Sequence, residues 1–110
     1  MTRSVREGQL VTLERVDCII DGLRVKRVGE KTFEIVRQFV DELVTLSDEE
    51  IFDAVVWVMH YLKVVPEGAA ASPVGALLRG LVKAPPGTKV CCVLSGGNVN
   101  LDQLKGLRWN

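Results

Sequence analysis

Thr88-Lys89-Val90-Cys91-Cys92-Val93-Leu94-Ser95-Gly96-Gly97-Asn98 is the stretch whose reading decides the fold. From Val90 to Leu94 no residue is charged, and the run passes straight into a small polar turn. A short, continuous apolar run with β-branched members suggests a strand covered on both faces, as in a parallel sheet. Ser95-Gly96-Gly97-Asn98 then falls at the carboxyl end of that strand, the edge of an open α/β sheet at which ligands bind. Gly96 and Gly97 permit a tight backbone path and close approach of a ligand, and Ser95 offers a hydroxyl that both donates and accepts. A plain strand exit has the same local composition, so the motif alone leaves both readings open.

Composition narrows the class. The chain has 110 residues, 47% hydrophobic and 25% charged, which suits one domain with a modest core and argues against disorder. Lys plus Arg and Asp plus Glu both number 14, so no basic excess attracts nucleic acid or an anionic membrane. No apolar run approaches the roughly 18 residues of a membrane span. Met1-Thr2-Arg3-Ser4-Val5-Arg6-Glu7-Gly8 is too polar for a secretory signal. Three cysteines, two of them adjacent in the apolar run, make neither a disulfide framework nor a zinc-ligand pattern. These features predict a soluble, cytoplasmic protein without a metal site.

Working back from the strand, Ala84-Pro85-Pro86-Gly87 is a stiff loop. Ala69 to Leu81 reads as a helix of small residues, with Pro73 in its first turn and Gly80 near its end. Val64-Val65-Pro66-Glu67-Gly68 separates it from an earlier helix over about Asp48 to Lys63. Glu67, between Val65 and the alanines, is the carboxylate whose surroundings look dry; a helix-start carboxylate meeting the dipole accounts for it equally well. The earlier helix opens on Ser47-Asp48-Glu49-Glu50, a capping box that gives these acidic residues a structural role rather than a catalytic one. From Ile51 to Leu62 its apolar residues cover nearly the whole circumference, which predicts burial on more than one side. His60, the lone histidine, has no imidazole partner for a metal and reads as a hydrogen-bonded buried or edge side chain.

Leu43 to Leu46 reads as a second short strand. Before it, Phe33, Val36, Phe39 and Val40 fall at helical spacing, with Thr32 as the expected N-cap. Residues 1–31 read as a connecting segment turning at Asp21-Gly22, although Leu23, Val25 and Val28 also fit a half-exposed strand. At the other end, Asn100 is placed to cap a short helix from Leu101 to Leu107, ending at Trp109. No internal repeat or linker divides the chain.

Asp21-Gly22-Leu23-Arg24-Val25-Lys26, Gly29-Glu30-Lys31-Thr32-Phe33, Val40-Asp41-Glu42 and Ser47-Asp48-Glu49-Glu50-Ile51 follow one another as blocks. Val64-Val65-Pro66-Glu67-Gly68-Ala69-Ala70-Ala71 and Leu94-Ser95-Gly96-Gly97-Asn98 complete the series. In order and spacing, over essentially the whole chain, they resemble the carboxyl-terminal part of the pyridoxal-phosphate-dependent threonine ammonia-lyases (threonine dehydratases). The serine-dehydratase and serine-racemase relatives share these blocks, including the family's Glu-Gly-Ala-Gly-Ala-Ala and Leu-Ser-Gly-Gly-Asn segments. The resemblance implies an α/β fold in which residues 1–110 are a single partial domain. That domain would be part of the large domain of a fold type II pyridoxal phosphate enzyme, with short parallel strands and packed crossover helices. It also implies cofactor-binding roles for Ser95, Gly96, Gly97, Asn98 and Glu67. Ser95 would give its hydroxyl to the pyridine nitrogen, leaving it largely unprotonated and the ring a weaker electron sink, which favours loss of a β-hydroxyl. Glu67 would line the pocket beside the ring, and Gly96, Gly97 and Asn98 would shape the wall behind it. The implied reaction is dehydration and deamination of L-threonine, or L-serine, to 2-oxobutanoate, or pyruvate, and ammonia.

Parts of the family pattern have no counterpart here. No lysine sits in the family's Ser-x-Lys-x-Arg-Gly context, and the Ser-Gly-Gly-Gly-Leu phosphate loop is absent. Cys18 and Ile20 stand where the family has Thr and Ala, and Ala70 replaces the middle Gly after Glu67. No catalytic residue is therefore assigned, and the chain alone is expected to be inactive. Two strands make a marginal sheet, and the all-apolar helix needs a second cover. The expected partner is the missing amino-terminal portion of the lyase, or another copy joined through apolar surface. A stand-alone interaction or amino-acid-binding module that self-associates is the competing reading, and independent catalysis with a different lysine is a third.

Overall fold

Ser47 sets where the main helix begins. Its hydroxyl accepts from the Glu50 amide at 3.2 Å, and the Glu50 carboxylate accepts from the Ser47 amide at 2.8 Å. The reciprocal bonds satisfy amides that a helix start otherwise leaves orphaned. The computed structural model describes residues 1–105. Its helices are α1 (Thr2–Glu7), α2 (Glu30–Phe39), α3 (Asp48–Leu62), α4 (Gly68–Leu78) and α5 (Leu101–Lys105), with a 3-10 turn at Asp21–Leu23. α3 ends at Leu62, and Lys63 follows in the left-handed conformation at φ 58°.

The core is the seam between α3 and α4. Ile51, Ala54, Val55 and Val58 repeat at helical spacing and are buried on α3; Ala70, Ala71, Val74 and Gly75 are buried on α4. A methyl at Gly75 would stand 3.2 Å from Ala54 Cβ and 3.3 Å from Leu46 Cδ1, so the small residue sets how closely the elements approach. Arg79, just past α4, reaches back to Glu50 at 3.7 Å and to Asp53. Pro73 is the sixth residue of α4, in its second turn and not in the first turn as expected. A proline there supplies no amide to the carbonyl four residues back, Ala69; Ser72 Oγ donates to that oxygen at 2.7 Å instead.

Both expected strands need correction. Among the described residues no strand forms, and neither Leu43–Leu46 nor Val90–Leu94 carries ladder hydrogen bonds. A strand exists through its neighbour, and these two segments do not bond to each other. The α/β expectation is accordingly not met within these residues, which are helices and irregular connections. Nor is Val90–Leu94 covered on both faces. Val90, Cys91 and Val93 are exposed while Cys92 and Leu94 are half-buried, which leaves the segment only partly covered.

Other boundaries shift for local reasons. α2 starts at Glu30 with Gly29 as its N-cap, so Thr32 lies inside the first turn and is not the cap. α1 occupies a stretch that reads as connecting sequence, since six residues give too few turns to show a period. Its Ser4 is buried, and the hydroxyl accepts from the Val11 amide at 3.1 Å. α3 is less enclosed than its composition predicts: Tyr61 and Leu62 are exposed, and Phe52, Val56, Trp57 and Met59 are half-buried. His60 is exposed, its ring edge-on to Tyr61 with centroids 4.6 Å apart, rather than buried. Asn100 Oδ1 accepts from the Asp102 amide at 2.8 Å, as a cap of α5 does; the expected continuation through Leu107 to Trp109 lies outside the described residues.

The body is a slab of 41 × 38 × 19 Å with a radius of gyration of 14.9 Å, against about 13 Å for a compact domain of this length. Its exposed surface is 8200 Å², where a folded monomer of this mass exposes about 6,000 Å². Phe39, Tyr61, Val90 and Val93 all lie more than half exposed. No helix among the described residues is long and apolar enough to cross a membrane.

Ile51→Ala, which empties a fully buried site of the seam, is expected to cost about 2–5 kcal/mol in denaturant unfolding. Ser47→Ala, which removes the cap, is expected to cost about 1 kcal/mol. The cap also makes stability depend on pH. The Ser47 amide, followed by its hydroxyl and Arg79, holds the Glu50 carboxyl below its ordinary 4.5. A folded value below the unfolded one stabilises above the ordinary value, and the contribution is lost as pH falls through that value and below it. Thermal unfolding followed downward from pH 5 is expected to show that loss in the wild type and a smaller one in Glu50→Gln.

Candidate functional site

Asp48, in the first turn of α3, begins the assembly of the site. Its carboxylate accepts from the Ile19 amide at 3.0 Å and from Cys18 Sγ at 3.3 Å, which moors the chain leading into the 3-10 turn. Burial pushes the Cys18 thiol above its ordinary value, so it remains the protonated donor that Asp48 requires. Ile20 is buried, and a methyl on Gly68 would stand 2.8 Å from its Cδ1. A methyl on Gly22 would stand 2.7 Å from Ala69 Cβ. The two glycines thus let the 3-10 turn lie directly on the first turn of α4.

Glu67 is the N-cap residue of α4, yet its side chain does not cap the helix. It turns instead to the loop after Leu94. The Asn98 amide donates to Glu67 Oε2 at 3.3 Å, and the Glu67 amide donates to the Gly96 carbonyl at 3.0 Å. A methyl on Gly96 would sit 2.8 Å from the Glu67 carboxyl carbon and 2.9 Å from either oxygen. One on Gly97 would sit 2.9 Å from the Val65 carbonyl oxygen. At Gly97 the neighbour is backbone and leaves no room for a Cβ, whereas at Gly96 a Cβ fits only if the Glu67 carboxylate moves away.

A cavity of about 260 Å³ lies among these pieces, lined by Asp21, Phe52, Val55, Glu67, Asn98 and Leu104 among others. Of the residues expected from sequence, Glu67 and Asn98 line it, and Gly96 and Gly97 carry the loop onto Glu67 and Val65. Ser95 is exposed and stands outside the lining. Glu67 is half-buried, with Phe52 and Val55 in the same cavity wall, so its surroundings are partly apolar. Asp21, Phe52 and Val55 are lining residues that sequence reasoning misses. Asp21 carried a signal in its Asp-Gly turn, whereas Phe52 and Val55 follow the same helical period as the core and nothing local sets them apart. Chemically, the cavity offers carboxylates, an amide side chain and an apolar floor, and no lysine lines it among the described residues.

Residues 1–96 match the family described as pyridoxal-phosphate dependent enzyme. The chain is 42% identical over 105 residues to the L-threonine ammonia-lyase of Thermotoga maritima, covering 94% of this chain and 25% of that protein. It is 43% identical over 109 residues to the catabolic L-threonine dehydratase TdcB of Staphylococcus aureus, covering 97% and 32%. Among solved structures it is similar to maize serine racemase, with TM-score 0.83 and 33% identity over 94% of this chain and 33% of that one. It is also similar to a T.th. threonine deaminase, with TM-score 0.80 and 33% identity over 89% and 35%. The chain therefore spans about a quarter to a third of the length of the relatives it matches.

Gly96→Ala and Gly97→Ala separate the two close contacts. The Gly96 methyl meets only the movable end of Glu67 and is expected to cost less than about 1 kcal/mol, whereas the Gly97 methyl meets backbone and is expected to cost about 1–3 kcal/mol. Denaturant midpoints of both variants check the order, and the reverse order would mean that the loop does not pack as described.

Proposed function

The chain belongs to the pyridoxal-phosphate dependent enzyme family, and from that premise we propose that it forms the carboxyl-terminal part of a threonine ammonia-lyase large domain. The carrying observation is that Glu67, Gly96, Gly97 and Asn98, distant in sequence, meet at the edge of one cavity. The residues present fit one wall of a cofactor site. Gly96 and Gly97 leave no side chain projecting from the loop, and the exposed Ser95 hydroxyl can meet a ring nitrogen as donor or acceptor. Phe52 and Val55 supply an apolar surface that excludes water.

When bound, pyridoxal phosphate supplies the electron sink for breaking bonds at the amino acid's α-carbon. This chain's residues orient it. Ser95, which projects from the loop outside the cavity lining, would offer a neutral hydrogen bond to the pyridine nitrogen; Gly96 and Gly97 would leave the loop side of the wall free of side chains, and Glu67 and Asn98 would bound it on the polar side. The anchoring lysine and the phosphate loop belong to the rest of the lyase, whose surface covers the exposed apolar faces of this slab. The substrate reading is L-threonine, with L-serine as its nearest competitor, and the setting is the cytoplasm. A self-associating module without cofactor would also use the exposed apolar faces, but it leaves the meeting of Glu67 with the glycine loop without a purpose.

Combined with a polypeptide carrying the family's lysine segment, the chain is expected to restore the imine absorbance of pyridoxal phosphate and the release of 2-oxobutanoate from L-threonine. The 110 residues by themselves are expected to give neither. Ser95→Ala in the combined enzyme is expected to lower turnover about 2- to 10-fold, the range that loss of a neutral hydrogen bond allows. Turnover by the chain alone, or full turnover after Ser95→Ala, overturns the reading.

A further inference from the structure

The resemblance puts Glu67 beside the cofactor as a lining residue, whereas its contacts point to a different task. As the N-cap residue of α4 it is placed to bond the free amides of the first turn, and it does not. Its side chain is committed to the glycine loop through Oε2, which accepts from Asn98, while its own amide holds the Gly96 carbonyl. The absent Gly96 side chain leaves a cradle shaped to the carboxyl group, with three of its atoms within 2.9 Å of where a methyl would be. Oε1 also lies 3.6 Å from where a Gly22 methyl would be. The carboxylate is therefore held by the glycine loop and lies close to Gly22. Ser95, next to Gly96, is exposed, and the backbone from which its hydroxyl projects is continuous with the one that Glu67 holds.

We infer that Glu67 is a positioning residue: its carboxylate clasps the Ser95–Asn98 loop to the start of α4 and thereby sets the backbone position from which the Ser95 hydroxyl projects. The inference rests on the cofactor-wall reading for its purpose, but the clasp itself is a property of this chain. It requires an oxygen acceptor at position 67 and an empty side at position 96. A glutamine retains the acceptor, an alanine does not, and Gly96→Ala displaces the acceptor while leaving Glu67 in the sequence.

Amide hydrogen exchange of the 110-residue chain, read by NMR, tests this without cofactor. In Glu67→Ala and in Gly96→Ala, exchange at Asn98 and Val99 is expected to rise about fivefold, the change a typical net hydrogen-bond contribution carries. Glu67→Gln is expected to restore protection. The double variant Glu67→Ala with Gly96→Ala is expected to show no more than either single one, because both remove the same contact. Amides of the α3–α4 seam away from Glu67, such as Val58 and Val74, serve as the internal control and are expected to stay within about twofold of wild type. An additive double variant, unchanged Asn98 exchange in Glu67→Ala, failure of Glu67→Gln to restore it, or an equal rise at Val58 and Val74 would each overturn the clasp. Pyridoxal phosphate binding by the wild-type chain joined with the lysine-bearing portion, followed by absorbance, is scored separately. Absence of binding there sinks the cofactor reading, while the exchange data alone decide the clasp.

Discussion

Gly68, Ala70, Ala71, Val74 and Gly75 give α4 a face with little side-chain volume, and its neighbours come to it at nearly backbone distance. α3 does so through Ala54, the 3-10 turn through Ile20 and Gly22, and the segment before α3 through Leu46. Interiors gain cohesion from many short contacts, each individually weak, so a face that admits three neighbours at once organises the whole slab. The same face fixes where Glu67 stands, one residue before the helix, and so where the glycine loop can be held.

From that helix the site follows by short steps. Asp48 moors the chain at Ile19, buried Ile20 seats the 3-10 turn on Gly68, and Glu67 bonds across to Gly96 and Asn98. None of these links is strong alone. Their effect is geometric: three segments separated by tens of residues meet around one cavity, with an apolar floor from α3 and a polar edge from Glu67, Asp21 and Asn98.

The slab's other property is what it fails to bury. Its surface exceeds that of a folded monomer of its mass by about a third, and aliphatic and aromatic side chains lie open on it. The relatives it matches are three to four times as long, and the proposed remainder of a lyase would lie against these open faces.

The capping box at Ser47 and Glu50, the helices α3 and α4 and the Asn100 cap were legible in the sequence, and Glu67, Gly96, Gly97 and Asn98 stood out there as residues to watch. Each depends on local chemistry or on a run of residues that carries its own period. The blocks from Asp21 to Asn98 pointed likewise to the family, because their order and spacing survive whatever the chain packs against. Tertiary structure alone decided that Val90–Leu94 and Leu43–Leu46 form no sheet here, since strand pairing is a property of two segments and not of one. It alone decided that Glu67 serves the glycine loop rather than its own helix, that Phe52 and Val55 face the cavity, and that His60 is exposed. Those outcomes depend on which distant backbone approaches within about 3 Å, and no local pattern of residues encodes that distance.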